Sequence, residues 1–245
     1  MALFKYTFEY LMMPARTRPG SLKAAVYEQI ARIGRAAASP NRLELLDLLS
    51  QGARSVEALA RQTGQSVAAT SHHLQILRRA RLVDAEKSGL YVTYRLADDR
   101  VGRFLLDLRQ LSEARLAEIQ QVTRQYLEQR GALEPVDNGE LVRRVRDGDV
   151  TLIDVRPREE YVAGHIPGAM SVPVAELPGR VGELRKRRDV VAYCRGPYCV
   201  MALDAVELLR RKGIRAQRLE HGVVEWRARG WRVESGEDRP AGRRS

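Results

Sequence analysis

The residues best suited to chemistry are two thiols five positions apart, Cys194 and Cys199. Cys194 closes the apolar run Val190-Val-Ala-Tyr and precedes a stretch, Val200–Lys212, with the spacing of a helix. A cysteine between a strand end and a helix N-terminus faces backbone N–H groups of a tight loop and the positive end of the helix dipole. Arg195 adds a cationic side chain beside it. Each influence lowers a thiol pKa and favours the thiolate, the nucleophilic form. Cys199 has two readings: a thiol that resolves a sulfur adduct on Cys194 into a disulfide or polysulfide link, or a small residue opening the helix. Two cysteines in 245 residues do not make a disulfide scaffold.

A second constellation suits a nucleic acid. Ser66 is placed to cap a helix over Val67–Arg79, and the N-terminal turns of that helix show Thr70, Ser71, His72 and Gln75, with Ala68 and Ala69 between them. Short polar side chains at the start of a helix are what a major groove admits, and small residues let the backbone approach. The far end carries Arg78, Arg79 and Arg81, suited to phosphates, and Lys87 follows on the next segment. His73 reads as a core or dimer-facing residue, and His72 as a candidate base contact.

The elements that position these groups fall into two series. Ala25, Ile30, Ile33 and Ala37 share one helical stripe, ended by Pro40-Asn41; Leu43–Leu49 forms a second helix, and Ser55 caps a third. Thr63-Gly64-Gln65 is a short turn into the helix capped by Ser66. The period then shortens: Leu82–Glu86 and Tyr91–Leu96 alternate as strands joined at Ser88-Gly89. From Asp98 or Asp99 a helix of about 30 residues runs to about Gln129, longer than a small core needs and suited to dimerisation. Beyond Gly131–Pro135 strands and helices alternate: helix Asn138–Arg146, strand Val150–Val155, a short strand near Met170-Ser171, helix Val174–Leu184, strand Val190–Tyr193, helix Val200–Lys212, strand Ala216–Leu219. This pattern implies a parallel sheet. The expected organisation is an N-terminal extension (1–21) without fixed structure, a mostly helical unit with a hairpin wing (22–130), a linker (131–136), an α/β unit (137–234) and a disordered tail (235–245).

Composition sets the outer limits. The chain carries 42 basic and 31 acidic residues, a net charge of +11. Up to Arg130 there are 20 basic against 13 acidic residues, so the excess leans towards the helical half and suits a polyanion. No apolar run reaches the roughly 18 residues of a membrane span, and Lys5 and Glu9 interrupt the apolar N-terminus, so a cytoplasmic location is expected with no membrane partner.

Helix, turn, helix, hairpin is the order of a winged helix-turn-helix. Ser39-Pro-Asn-Arg-Leu-Glu-Leu-Leu, Ser66-Val-Ala-Ala-Thr-Ser-His-His-Leu-Gln-Ile-Leu, Ala80-Arg-Leu-Val and Gly89-Leu-Tyr-Val-Thr-Tyr-Arg-Leu resemble the ArsR/SmtB repressors. The resemblance implies a homodimer that binds an operator in double-stranded DNA and releases it on meeting an inducer. The cysteines with which many members bind metal are missing before the recognition helix, and the last helix offers Asp107, Glu113 and Glu118 but no histidine. No metal site or cofactor is expected.

Asp154-Val-Arg-Pro-Arg-Glu-Glu-Tyr-Val-Ala-Gly-His-Ile-Pro-Gly-Ala169, the Cys194–Cys199 segment and Leu219-Glu-His-Gly-Val-Val-Glu-Trp226 resemble, in that order, a single rhodanese domain. The resemblance implies that Cys194 takes a sulfane sulfur from a donor such as thiosulfate or a persulfide. The loop Arg195, Gly196, Pro197, Tyr198 and Cys199 would cradle the resulting persulfide, and a thiol acceptor would receive the sulfur. It implies structural work for Asp154, Arg156, Glu160 and His165. Related phosphatases need an arginine six residues after the cysteine; Val200 stands there. His221 departs from the pattern, standing where the family often has glycine, a costly exchange if the turn there is left-handed. The leading expectation is a regulator in which a Cys194 persulfide is coupled to operator binding. The alternative is a sulfurtransferase that uses its winged helix for dimerisation or tethering.

Overall fold

A computed structural model describes residues 21–89, 91–130, 135–136, 138–147, 149–184 and 189–237. The expected N-terminal extension lies outside these residues, as do most of the linker and tail. The chain divides into two compact units: residues 1–46 with 54–98, and 47–53 with 99–245. Among the described residues no helix is long and apolar enough to cross a membrane.

The first unit contains α1 (Leu22–Ala37), most of α2 (Pro40–Ser50), β1 (Arg54–Ser55), α3 (Val56–Thr63), α4 (Val67–Arg79), β2 (Val83–Ser88) and β3 (Tyr91–Leu96). Each helix start is fixed locally. Ser21, Ser55 and Ser66 accept from the amides of Ala24, Ala58 and Ala69, satisfying donors that the first turn leaves free. Gly64, at φ 66°, ends α3 in the left-handed conformation that glycine adopts without a Cβ clash. Leu45, Leu46, Leu59, Leu74, Leu77, Leu82 and Val83 are buried. The hairpin β2–β3 forms as expected, and β1, too short to read from periodicity, adds a third antiparallel strand in the order β1-β3-β2. Arg81 leaves α4 at φ 59°, a strained conformation for a residue with a side chain.

The second unit begins with α5 (Asp99–Arg115) and α6 (Ala117–Gln129), where one unbroken helix was expected. Leu116, at φ −113° and ψ 98°, interrupts it. One turn earlier the Ser112 hydroxyl donates to the Leu108 carbonyl, a back-bond that bends helices.

Then follow β4 (Pro135–Val136), α7 (Asn138–Arg146), β5 (Val150–Asp154), α8 (Arg158–Ala163), β6 (Met170–Ser171), α9 (Leu177–Leu184), β7 (Asp189–Tyr193), α10 (Met201–Arg211), β8 (Ala216–Leu219) and α11 (Val223–Ala228). The sheet is parallel, in the order β4-β8-β7-β5-β6. Alternation along the strands sorts its two faces. Ile153, Val190, Ala192 and Ala216 pack with Leu177, Val181, Ala205 and Val206 from α9 and α10. Leu152, Val191, Tyr193 and Leu219 pack with Leu141, Tyr161, Val223 and Trp226 from α7, α8 and α11.

At the end of β5, Arg156 is fully buried and forks onto Asp154, with Nη2–Oδ2 2.6 Å and Nε–Oδ1 3.0 Å; Nη2 also donates to the Gly164 carbonyl. His165 stacks on Tyr161 and its Nδ1 lies 2.9 Å from the Tyr161 carbonyl. These groups tie the loop after β5 to the sheet. Removing one member of a buried pair strands the other's charge. Arg156→Ala is therefore expected to cost about 3–5 kcal/mol. Both tryptophans, Trp226 and Trp231, lie in this unit, so urea unfolding followed by their fluorescence reads the loss directly.

Candidate functional site

β7 delivers Cys194 to its C-terminal end, and a loop of five residues and Val200 separate it from α10. Cys194 is buried and Cys199 half-buried, both as free thiols. The Cys194 sulfur lies 3.4 Å from the Cys199 carbonyl and 4.0 Å from that of Gly196, and the two thiols hydrogen-bond one another. Backbone amides surround the pair as expected: Ala202 and Gly196 donate towards Cys194, Arg195 and Met201 towards Cys199.

The charge does not sit where the sequence suggested. Burial, and then the neighbouring Cys199, push the Cys194 thiol well above its ordinary range. Cys199 is lowered to about 7, first by the hydrogen bond from Cys194 and then, against its own burial, by the Arg195 and Met201 amides. Burial thus disfavours the thiolate at Cys194, while the surroundings of Cys199 favour it there. Arg195 does not supply the expected free cation, because its guanidinium forks onto the buried Glu160 at 2.6–3.1 Å.

The floor of the loop is backbone. A Cβ on Gly222 would stand 2.5 Å from the Cys194 carbonyl oxygen and 2.6 Å from that of Arg195, so only glycine fits. His221, one residue earlier, does not have positive φ, and carries none of the cost foreseen for it. The glycine requirement at this turn belongs to Gly222 alone. Its amide donates to Glu225 Oε2 at 2.8 Å, and Glu225 Oε1 accepts from Arg109 on α5 at 2.5 Å. Tyr198 of the loop donates to Glu113, one turn further along α5, at 2.5 Å. Sequence reasoning missed Arg109, Glu225 and Arg218; Arg218 reaches the loop by donating from Nη1 to the Pro197 carbonyl at 3.2 Å. The one signal in the sequence was an arginine inside the short apolar strand Ala216–Leu219.

In the first unit, α4 presents Ser66, His72, Gln75, Arg78 and Arg79 to solvent, with Ser71 half-buried. Lys87 is exposed on β2. Thr70 is the exception among the residues expected to meet DNA: it is fully buried and its hydroxyl donates to the Ser66 carbonyl, one turn back. Helical spacing puts it on the Leu74–Leu77 side of α4, not the outer face. His73 is half-buried, its Nε2 3.4 Å from Asn41 Nδ2, and burial lowers its pKa, with help from Arg42 and His72. Among the described residues no group of three His, Cys, Asp or Glu is placed to hold a metal.

An exposed polar recognition helix with a wing, and a cysteine loop at the end of a parallel sheet, define a winged-helix DNA-binding regulator joined to a rhodanese-type unit. Residues 39–85 match the family described as "Bacterial regulatory protein, arsR family", and residues 137–229 match "Rhodanese-like domain". The chain is 46% identical over 215 residues, 87% of its length and 94% of the relative's, to the HTH-type transcriptional regulator Rv0324 of Mycobacterium tuberculosis. Over 97 residues, 39% of this chain and 89% of the relative, it is 35% identical to a protein of Allochromatium vinosum named "Sulfurtransferase". Among solved structures it is similar to the homodimeric winged helix-turn-helix DNA-binding domain Mb0332 of Mycobacterium bovis. There the identity is 39%, the match covers 40% of this chain and 90% of that one, and the TM-score is 0.38. The chain belongs to the ArsR family of bacterial transcriptional regulators and carries a C-terminal rhodanese domain.

The shared proton makes a prediction. Peptide-resolved alkylation with iodoacetamide should show Cys199 reacting with a midpoint near pH 7. In Cys194→Ala the donor is gone, so the midpoint should move up towards the ordinary thiol value of about 8.5. An unchanged midpoint would show that Cys194 does not stabilise the Cys199 thiolate.

Proposed function

We propose that the protein is a homodimeric operator-binding repressor that answers to reactive sulfur through a persulfide on Cys194. The observation that carries this reading is the tie between the sulfur loop and α5. Tyr198 and the Gly222–Glu225 turn are held by Glu113 and Arg109, on the helix that continues the chain three residues after wing strand β3. A loop that must admit an extra sulfur atom beside Cys194 acts on those bonds directly.

The chemistry follows from the pair. The Cys199 thiolate takes the proton of Cys194 as Cys194 attacks the outer sulfur of a donor such as thiosulfate. The donor's S–S bond breaks and sulfite leaves with its electron pair, giving a Cys194 persulfide. A thiolate acceptor can then remove the terminal sulfur and restore Cys194. Where Cys199 itself attacks Sγ of Cys194, hydrosulfide leaves with the electron pair and a Cys194–Cys199 disulfide remains.

On the DNA side, Ser66, Ser71, His72 and Gln75 are the base-reading candidates, while Arg78, Arg79 and Lys87 hold phosphates. A dimer that spans two half-sites about 34 Å apart reads a change in helix spacing as a change in affinity. Exposed Leu22, Val26, Tyr27 and Ile30 on α1, with Val122 and Tyr126 on α6, supply apolar surface for such a dimer. DNA as target implies a cytoplasmic site of action.

The test uses operator fragments selected from random DNA by the purified protein, read by fluorescence anisotropy with and without polysulfide. Wild-type affinity should fall at least about tenfold on treatment, a coupling of about 1.4 kcal/mol, while Cys194→Ser should not respond. Equal affinity in all four measurements refutes sensing. The likeness to a sulfurtransferase favours a second reading, an enzyme tethered by its winged helix. Fast thiosulfate:cyanide turnover without salt-dependent, sequence-specific DNA binding would establish it instead.

A further inference from the structure

Three arginines of the α/β unit lie near the sulfur site, two buried and one half-buried, and two are already paired: buried Arg156 with Asp154, and half-buried Arg195 with Glu160. Arg218 is different. Its side chain is 3% exposed, yet among the described residues it forms no ion pair, and its Nε has no hydrogen-bond partner. Its contact with the loop is the single donation to the Pro197 carbonyl. A buried cation without a carboxylate is expensive and calls for an anion.

Its register shows which anion. On β8, Arg218 pairs with Ala192 of β7. Successive residues of a strand alternate between faces, so Cys194, two residues beyond Ala192, emerges on the side of the sheet that Arg218 occupies. Ala192, Cys194 and Ala216 belong to one packed cluster, which confirms that side. The guanidinium therefore rises on the Cys194 side of the sheet and reaches the sulfur loop at the Pro197 carbonyl. Burial lowers the Arg218 pKa, and the groups that act against this include Cys194, Cys199 and Glu220.

We propose that Arg218 is the built-in counter-ion of the Cys194 site, pairing with the thiolate and then with the terminal sulfur of the Cys194 persulfide. The second half of the proposal rests on the persulfide reading above; the first half does not. The charges that face Cys194 are few. From the loop come Cys199 and Arg195, the latter cancelled by Glu160 of α8; from β8 comes Arg218, with Glu220 just beyond it. Glu225 of α11 is spent on Arg109 and the Gly222 amide. Among the described residues Arg218 is the cation left for the sulfur.

The experiment is the pH profile of Cys194 alkylation in the full chain, in a Cys199→Ser background that removes the shared proton. Arg218→Met should raise the midpoint by about one unit or more and slow alkylation at pH 8 about tenfold. Arg218→Lys, which keeps the charge, should restore most of both. A folded Arg218→Met chain with an unchanged profile overturns the proposal. Should that variant not fold, the Cys199→Ser chain with Arg218 intact gives the answer. A cation beside the sulfur makes the iodoacetate to iodoacetamide rate ratio at Cys194 exceed that of free cysteine, and a ratio at or below that value is equally fatal. Mass spectrometry after polysulfide treatment then separates the two halves. A shifted pH profile with no persulfide on Cys194 would remove the sulfur reading and leave Arg218 as counter-ion of the thiolate alone.

Discussion

The α/β unit depends on one close approach, that of the Gly222 backbone to the carbonyls of Cys194 and Arg195. A single added carbon would stand 2.5 Å from an oxygen there, so the turn after β8 and the loop after β7 must move together. That contact places the Gly222 amide, and through it Glu225, against the sulfur loop. Glu225 in turn holds Arg109 of α5. A backbone contact local to one turn thereby sets the position of a helix more than a hundred residues earlier in the chain. Packed interiors give way in discrete steps and not by continuous strain, so a loop enlarged by one sulfur atom has a defined route for its effect.

The second organising principle is the pairing of buried charge. Asp154 with Arg156, Glu160 with Arg195 and Glu225 with Arg109 each join a carboxylate to a guanidinium at 2.5–2.6 Å. Each pair fastens a different segment to the sheet end: the loop after β5, the sulfur loop, and α5. Against that background the unpaired Arg218 stands out. The same economy explains why Cys194 is not the acidic thiol. With Arg195 committed to Glu160, burial dominates at Cys194 and raises its thiol, while the less buried Cys199 is lowered by its neighbours.

The winged-helix unit follows a simpler logic. Serine caps start its helices, Gly64 stops α3, and leucines at helical spacing bury the inner face of α4. What remains on the outer face, Val67 apart, is small or polar, as a groove-reading helix requires. Function here is what the core leaves over: Thr70, polar but turned inward, is lost to the core and bonds back to the Ser66 carbonyl of its own helix.

Much of this was legible in the sequence, because periodicity, caps and turns act over a few residues. The caps at Ser55 and Ser66, the hairpin, the longer strands and helices of the parallel α/β pattern and the place of Cys194 at a strand end all followed from local rules; β4, α8 and α11 did not, since two to six residues carry too little period to read. The two-residue strand β1 was not legible, since strands that short have no period, and neither was the break at Leu116, where no proline or glycine marks the chain. The electrostatics of the site were decided only by the tertiary structure. Which carboxylate neutralises Arg195, which of two thiols carries the charge, and which glycine the turn demands are questions about residues tens of positions apart. Sequence supplied the thiols and the arginines; folding decided that Arg195 is spent on Glu160 and that Arg218 is left facing the sulfur, because charge pairing is settled by distance in space and not along the chain.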